Sequence, residues 1–350
     1  MRQLMKGNEA LAEAAIRSGM KCFFGYPITP QTEISAYLAK NMPKHGGVFL
    51  QAESEVSAIN MVYGAAGAGF RVMTSSSGPG LSLKQEGISC IAAADLPCVI
   101  VNVMRAAPGL GGIQASQADY FQAVKGGGHG DYHLLVLAPA SVQEMAEMTV
   151  TAFNLADEWR IPAMILADGV IGQMMEPVDL DKLPQVKHFD KPWAACGKQK
   201  REHHNIINTL YLEPEELEAV ILEREKKYKK IENQLQMWDE YETDGADIIV
   251  TAYGISARIA RAAVKRAREM GIAVGLIRPK TLYPFPVKAF ERDIKTVLCV
   301  EMSRGQMIED VRLALNGRAK VEFYGRAGGI LVDEDEILAE IRRCADENNI

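Results

Sequence analysis

The chain has 350 residues, more than one hydrophobic core usually supports, so its length predicts two domains or one large domain with an appendage. Apolar residues make up 48% of it and charged residues 24%, a composition that excludes disorder over most of the length. Its 39 basic and 45 acidic residues give a formal net charge of −6. Because such a charge repels a phosphate backbone, nucleic acid is excluded as an expected partner.

Two features of the sequence bear on where the protein works. No uninterrupted apolar run approaches the roughly 20 residues that span a bilayer, and the N-terminal stretch carries Glu9 and Glu13 without a small-residue cleavage site. The six cysteines form no C-x-x-C pair, so we expect reduced thiols and no iron–sulfur cluster or zinc site held by this chain alone. The sequence therefore predicts a cytoplasmic protein without a membrane segment.

The first half of the chain alternates short β-rich runs with helical patterns, which is typical of βαβ units around a parallel sheet. A helix is expected to begin at Asn8 and to end at Gly19, and another to follow Thr29 and Pro30. The helix that Thr29 and Pro30 open is expected over Glu33–Lys40, and the further helices here are Ser54–Gly69 and Val142–Ala156. The strands expected are Cys22–Tyr26, Val48–Gln51, Arg71–Ser75, Pro97–Met104, Leu134–Leu137 and Ala163–Ala167.

A second βαβ series begins at Asp247, after a change in composition. Prolines interrupt the chain between the two series, and residues 213–242 are dense in charge and carry an apolar stripe at helical spacing. This stripe, opened by Pro214, predicts an interdomain helix that packs either on its own domains or on another chain. Its members are Ile221, Tyr228, Ile231, Leu235 and Trp238; the later elements expected are helices Ala257–Met270 and Glu334–Cys344 and strands Ala273–Ile277, Thr296–Glu301 and Val321–Tyr324.

Three polar, turn-rich loops follow the first three strands, at residues 25–30, 51–55 and 74–80. In an open α/β sheet the carboxyl ends of the strands face the ligand crevice, so we expect these loops to meet at one site. Neither a G-x-G-x-x-G after the first strand nor a G-x-x-x-x-G-K-[ST] occurs, which argues against simple nucleotide binding.

These loops carry a resemblance to a known family. Tyr26-Pro27-Ile28-Thr29-Pro30, Glu55 at the start of an Ala/Gly-rich helix, Thr74–Gly80, and Arg105 after a strand together resemble the α subunit of the thiamine-diphosphate-dependent 2-oxoacid:ferredoxin oxidoreductases, over nearly the whole chain. Within that family, residues 109–114 and 126–131 resemble the branched-chain, or 2-oxoisovalerate, members more than the 2-oxoglutarate or pyruvate members.

The resemblance implies the α/β fold class with two domains. Residues 1–190 would form a domain that binds the pyrimidine end of thiamine diphosphate, and residues 246–350 a transketolase C-terminal-like domain. Residues 191–245 would link them through the charged amphipathic helix.

The resemblance also assigns roles to individual residues. Glu55 would be the catalytic carboxyl that hydrogen-bonds the aminopyrimidine ring and shares a proton with it. An acidic residue also stabilises the first turn of a helix, and Glu53 competes for the role within the same loop. Arg105 and Thr29 would bind the substrate carboxylate; the alternatives are a surface salt bridge for Arg105 and a helix cap for Thr29.

Further contacts to the cofactor are implied at Tyr26, Pro27, Ser76, Ser77 and Gly78. The segment that holds the last three could form an anion-binding nest or be only a tight strand-to-helix turn.

Two other residues have a structural alternative. His129, among glycines, is either a loop hydrogen-bonder or a catalytic group, and the structural alternative is favoured. For Glu301 a structural or interface role is favoured over catalysis.

The sequence lacks the Gly-Asp-Gly and later Asn that supply oxygen ligands to Mg²⁺ in thiamine enzymes; its nearest run is Ala167-Asp168-Gly169. No metal ligand is therefore assigned here, and the family pattern places diphosphate and Mg²⁺ on a partner β subunit. Iron–sulfur clusters would belong to a ferredoxin-like subunit, with a γ subunit as a further candidate partner.

The implied reaction converts a branched 2-oxo acid and coenzyme A to acyl-CoA and CO₂, with electrons passed to ferredoxin. One alternative is the 2-oxoglutarate enzyme, but residues 106–113 offer no second cation for a distal carboxylate. The other is a non-catalytic assembly or binding subunit, against which Glu55, Arg105 and Thr29 together argue.

Overall fold

A computed structural model describes residues 2–348 and shows two main β-sheets. In chain order the strands are β1 (Arg2–Lys6), β2 (Cys22–Gly25), β3 (Val48–Gln51), β4 (Val72–Ser76), β5 (Cys98–Met104), β6 (Leu135–Leu137), β7 (Pro162–Asp168), β8 (Met175–Asp179), β9 (Trp238–Tyr241), β10 (Ile248–Thr251), β11 (Val274–Pro279), β12 (Thr281–Tyr283), β13 (Thr296–Glu301) and β14 (Lys320–Gly325). The helices are α1 (Gly7–Arg17), α2 (Thr32–Asn41), α3 (Glu55–Gly67), α4 (Gly78–Ser82), α5 (Gln85–Ala93), α6 (Tyr120–Val124), α7 (Val142–Trp159), α8 (Gly169–Gln173), α9 (Pro214–Gln234), α10 (Gly254–Glu269), α11 (Met307–Leu315) and α12 (Glu334–Asn348).

The larger sheet has seven strands in the order β12-β6-β7-β5-β4-β2-β3, parallel except for β12 at one edge. Its central strands β5 and β7 are buried along their whole length, as expected for a sheet covered by helices on both faces. The predicted α/β class and the predicted strands of this region are confirmed. Gly19 follows α1 with a positive φ of 78°, the conformation expected of a glycine that ends a helix.

The second sheet has the order β14-β13-β10-β11-β9, parallel except for β9 at its edge. One strand crosses from the second βαβ series to the first sheet. Strand β12 follows β11 of the second sheet in sequence, yet pairs with β6 of the first sheet. The ring of Tyr283 in β12 stacks on the His133 ring, with 4.2 Å between the ring centroids. This contact helps to hold β12 against the first sheet. The boundaries at residues 190 and 245 stay a prediction. Within residues 2–348 no helix is long and apolar enough to cross a membrane.

Helix α9, which the sequence predicts to lie between two domains, ends at Gln234, and the last residue of the predicted stripe, Trp238, lies in strand β9. Tyr228 and Ile231 are buried in the core, so the stripe packs on its own chain rather than forming a seam for another. Lys227 belongs to a run of basic residues, positions 226–230 with Tyr228 among them, that would be expected to face solvent on a charge-dense helix. Its ammonium instead donates to the Arg160 carbonyl oxygen at 3.0 Å.

Candidate functional site

The three polar loops converge at the carboxyl edge of the first sheet, as predicted. Strands β2, β4 and β5 are neighbours there, and Ser76 at the end of β4 lies opposite Asn102 of β5. Tyr26 and Pro27, the first two residues after β2, are exposed, and the Tyr26 carbonyl oxygen accepts a hydrogen bond from Gln31 at 3.3 Å. The loop after β2 is thus anchored by its main chain and presents its side chains outward.

Glu55 is the first residue of α3 and turns its side chain into the protein. Ser54 caps this helix by accepting the Ser57 amide at 3.1 Å, so Glu55 is not needed as the cap. Only 7% of Glu55 is exposed, and no hydrogen bond reaches its carboxylate from residues 2–348. The rival Glu53 is exposed and accepts the Ser57 hydroxyl at 2.7 Å, which lowers the pKa of Glu53. Glu55 is therefore the buried residue of the two, and its carboxylate is still free to bind a ligand.

The end of β4 lies directly beside Glu55. The hydroxyls of Ser76 and Ser77 are buried and lack a hydrogen-bond partner within the described part of the chain. A methyl group at Gly80 would lie 2.5 Å from Oε1 of Glu55 and would collide with the Ser76 hydroxyl. The missing side chain at Gly80 thus leaves the space in which the Glu55 carboxylate and the Ser76 hydroxyl lie side by side.

This contact predicts the effect of Gly80→Ala. The added methyl would displace the carboxylate or the serine hydroxyl, and overpacking of this kind typically costs about 1–3 kcal/mol. We expect a lower free energy of unfolding in chemical denaturation and weaker binding of thiamine diphosphate by the assembled protein. Gly64→Ala on α3 is the control, because nothing lies within 4 Å of its new methyl; unchanged stability in Gly80→Ala would contradict the crowding.

Arg105 follows β5 and is buried, with 8% of its surface exposed. Its Nη1 donates to the Thr29 carbonyl oxygen and its Nη2 to the Leu110 carbonyl oxygen, both at 3.1 Å, while Nε has no partner among residues 2–348. The guanidinium makes no ion pair within 4.0 Å in the described chain, so it is not the surface salt bridge considered above. Thr29 meets Arg105 through its main chain, and the remaining N–H groups of Arg105 can bind an anion.

Asp119 and Asn102 extend the site on the β5 side, and neither was found from the sequence. Asn102 Nδ2 donates to Asp119 Oδ2 at 3.0 Å. Burial raises the pKa of Asp119, while Asn102, the positive charge of Arg105 and the Gly78 amide act against this rise. Asp119 thus supplies the negative charge beside Gly78, where the sequence suggested a nest for an external anion.

Lys84 is the second buried ion that the sequence did not reveal. It is fully buried just before α5, and its ammonium donates to Thr74 Oγ1 at 2.6 Å and to the Ser75 carbonyl oxygen at 3.0 Å. Burial lowers the pKa of Lys84 to about 7, and the negative charge of Glu55 opposes this. No local pattern distinguishes Lys84 from a surface lysine, because its burial depends on how α4 and α5 fold over β4.

The remaining candidates have structural roles. His129 is exposed, and its carbonyl oxygen accepts the Ser89 hydroxyl at 2.6 Å. Glu301 is fully buried and accepts the amides of Met307 at 3.0 Å and Ile308 at 3.0 Å, so it holds the start of α11. Both results agree with the alternatives favoured from the sequence.

Asp168, from the run nearest to a metal motif, has both carboxylate oxygens occupied. Oδ1 accepts the Val170 and Ile171 amides at 3.1 and 3.0 Å, and Oδ2 accepts the Ile255 amide at 2.8 Å. This side chain joins α8 to α10, and both of its oxygens accept main-chain amides in doing so. Across residues 2–348 no cluster of three or more His, Cys, Asp or Glu side chains is placed to hold a metal ion.

Family models match most of the chain. The model described as "Pyruvate flavodoxin/ferredoxin oxidoreductase, thiamine diP-bdg" matches residues 13–253, and "Pyruvate:ferredoxin oxidoreductase core domain II" matches residues 246–337. The chain is 50% identical to ketoisovalerate oxidoreductase subunit VorB of Methanothermobacter marburgensis, over 99% of both chains. It is 35% identical to 2-oxoglutarate synthase subunit KorA of Methanocaldococcus jannaschii, over 96% of this chain and 98% of that one.

Solved structures share this fold. A 2-oxoglutarate:ferredoxin oxidoreductase from Magnetococcus marinus has a TM-score of 0.89 at 29% identity, over 98% of this chain and 65% of that longer chain. A split gene transketolase has a TM-score of 0.59 at 14% identity, over 96% of this chain and 95% of that one, which is a likeness of fold alone.

Proposed function

The chain belongs to the thiamine-diphosphate-dependent 2-oxoacid:ferredoxin oxidoreductases, and we propose that it is the pyrimidine-binding α subunit of an enzyme for branched-chain 2-oxo acids. The reaction consumes the oxo acid, coenzyme A and two oxidised ferredoxins. It yields acyl-CoA, CO₂, one proton and two reduced ferredoxins. We further propose that the enzyme works in the cytoplasm.

One observation carries this proposal: the carboxylate of the buried residue Glu55, which receives no hydrogen bond from residues 2–348, lies beside the unpaired hydroxyl of Ser76 at Gly80. A flat heterocycle with ring nitrogens and an amino group could use both the carboxylate and the hydroxyl, so the residues fit an aminopyrimidine. When bound, thiamine diphosphate supplies the nucleophilic carbon and the electron sink that decarboxylation of a 2-oxo acid needs.

Glu55 and Arg105 would have different roles in the reaction. Glu55 would hold a proton at N1′ of the aminopyrimidine, and its burial would keep water from competing for that proton. Arg105 would bind the substrate carboxylate through the N–H groups left over from its bonds to Thr29 and Leu110. Because those two bonds fix the plane of the guanidinium, the carboxylate would be oriented as well as bound.

The loop after Arg105 supports a branched, apolar acyl group. Leu110 and Ile113 are 84% and 60% exposed, and residues 106–113 contain no Lys, Arg or His. The 50% identity to a ketoisovalerate enzyme subunit points the same way. We expect the assembled enzyme to show its highest kcat/KM with 2-oxoisovalerate when this substrate, pyruvate and 2-oxoglutarate are compared. A preference for 2-oxoglutarate would reject the branched-chain assignment.

The diphosphate, Mg²⁺ and iron–sulfur clusters are proposed to lie on partner subunits. Both oxygens of Asp168 already accept main-chain amides, and this chain contains no C-x-x-C run. We therefore expect the isolated chain to be inactive and to bind thiamine diphosphate weakly, because it offers only the pyrimidine half of the pocket. Titration calorimetry with and without Mg²⁺ tests this, and tight, Mg²⁺-dependent binding by the chain alone would contradict the division between subunits.

A further inference from the structure

Lys84 is a buried ion that the reaction described above does not use. A lysine is almost never fully buried unless its charge is compensated, because taking an ammonium out of water is costly. Its two hydrogen bonds go to neutral oxygens, the Thr74 hydroxyl and the Ser75 carbonyl. An ammonium has three donors, so neutral groups account for only part of what this buried charge requires.

The negative charge of Glu55 acts on Lys84. It opposes the lowering of the Lys84 pKa by burial. The two side chains come from different elements, Glu55 from the start of α3 and Lys84 from the residue before α5. Strand β4, which lies beside both, contributes only neutral serine and threonine oxygens. The other ions at this edge, Arg105 and Asp119, act on one another. Lys84 and Glu55 therefore carry opposite charges beside the same stretch of β4, without an ion pair within 4.0 Å among the described residues.

We propose that Lys84 is a positioning residue that acts through Glu55 and limits how many protons Glu55 and the aminopyrimidine hold between them. This inference rests on the proposed function of Glu55. Proton transfer needs one proton shared by the carboxyl and the ring, and a second proton blocks it. A buried positive charge beside Glu55 makes the second proton harder to bind. The site thus stays active at a lower pH than Glu55 alone would allow.

The test is the pH dependence of C2 proton exchange in bound thiamine diphosphate, measured in deuterium oxide on the complex purified with its partner subunits. Lys84→Met removes the charge and nearly conserves the shape. We expect the acidic limb of the profile to move to higher pH by about one to three pH units, the usual effect of losing a nearby charge. Lys84→Gln, which keeps hydrogen-bond donors without charge, should move it in the same direction and replaces Lys84→Met if that variant does not assemble.

Thr74→Val is the matched control, because it removes the 2.6 Å hydrogen bond to Lys84 and leaves the ammonium in place. Its acidic limb should stay near that of the parent. An unshifted limb in the Lys84 variants, or an equal shift in Thr74→Val, overturns the role of the charge. Glu55→Gln in the same assay distinguishes a failure of the proposed function from a failure of the role of Lys84. If Glu55→Gln exchanges at the parent rate, both the proposed function of Glu55 and the role of Lys84 are overturned. If Glu55→Gln loses exchange but the profile of the Lys84 variants is unshifted, only the role of Lys84 is overturned.

Discussion

We expect Glu55→Gln to lower ferredoxin reduction driven by the 2-oxo acid by at least about 100-fold, the lower end of the usual contribution of a general acid–base group. The substitution is nearly isosteric and removes the negative charge together with the ability of the side chain to give and take a proton. The carboxylate receives no hydrogen bond from the described residues and Ser54 caps the helix, so folding and subunit assembly should survive. The measurement is steady-state turnover of the assembled complex with saturating coenzyme A.

Glu53→Gln provides the matched control for this substitution. It changes the same charge two residues earlier in the same loop, but Glu53 is exposed and bound to the Ser57 hydroxyl. Its turnover should remain near that of the parent. Equal turnover in the two variants would return Glu55 to the role of an acidic residue at a helix start.

The second large effect is expected for Arg105→Lys. A lysine keeps the charge but cannot hold the Thr29 and Leu110 carbonyls and a substrate carboxylate in one plane. A lost hydrogen bond to a charged group costs about 1.5–3 kcal/mol, so kcat/KM for the oxo acid should fall roughly 10- to 100-fold. The KM for coenzyme A should not change.

Arg258→Lys is the control for Arg105→Lys, since Arg258 pairs with Glu176 outside the site at 2.7 Å. It changes the same functional group and should leave kcat/KM for the oxo acid unaltered. A parent value of kcat/KM in Arg105→Lys would remove Arg105 from the substrate site.

The residues that were predictable from the sequence lie where local rules apply. Glu55 and Arg105 follow runs that were predicted as strands, and the carboxyl ends of parallel strands share one edge, so their convergence could be predicted without a structure. Their roles needed the family resemblance, because an acidic residue at a helix start and an arginine after a strand are common. Lys84 and Asp119 could not be found this way, since their burial arises from contacts between elements distant in sequence.

The fold likewise has elements that local sequence patterns predict and elements that they do not. The strands of the parallel sheets were predicted from their apolar runs, whereas β12 has three residues and joins the first sheet through a pairing that spans more than 140 positions, from Tyr283 to Val136. Trp238 fits the helical spacing of α9 and yet lies in β9, because a stripe with a period near 3.5 cannot mark where the helix ends. Long-range pairing and helix ends are set by tertiary contacts that short patterns do not encode.

The central claim is that this chain supplies the carboxyl that activates thiamine diphosphate held jointly with a partner. The most direct measurement is exchange of the C2 proton of bound thiamine diphosphate with deuterium oxide, in the assembled complex and without substrate, so that decarboxylation and electron transfer do not contribute. We expect fast exchange in the parent and in Glu53→Gln, and exchange slower by at least about 100-fold in Glu55→Gln. Exchange at the parent rate in Glu55→Gln would contradict the claim.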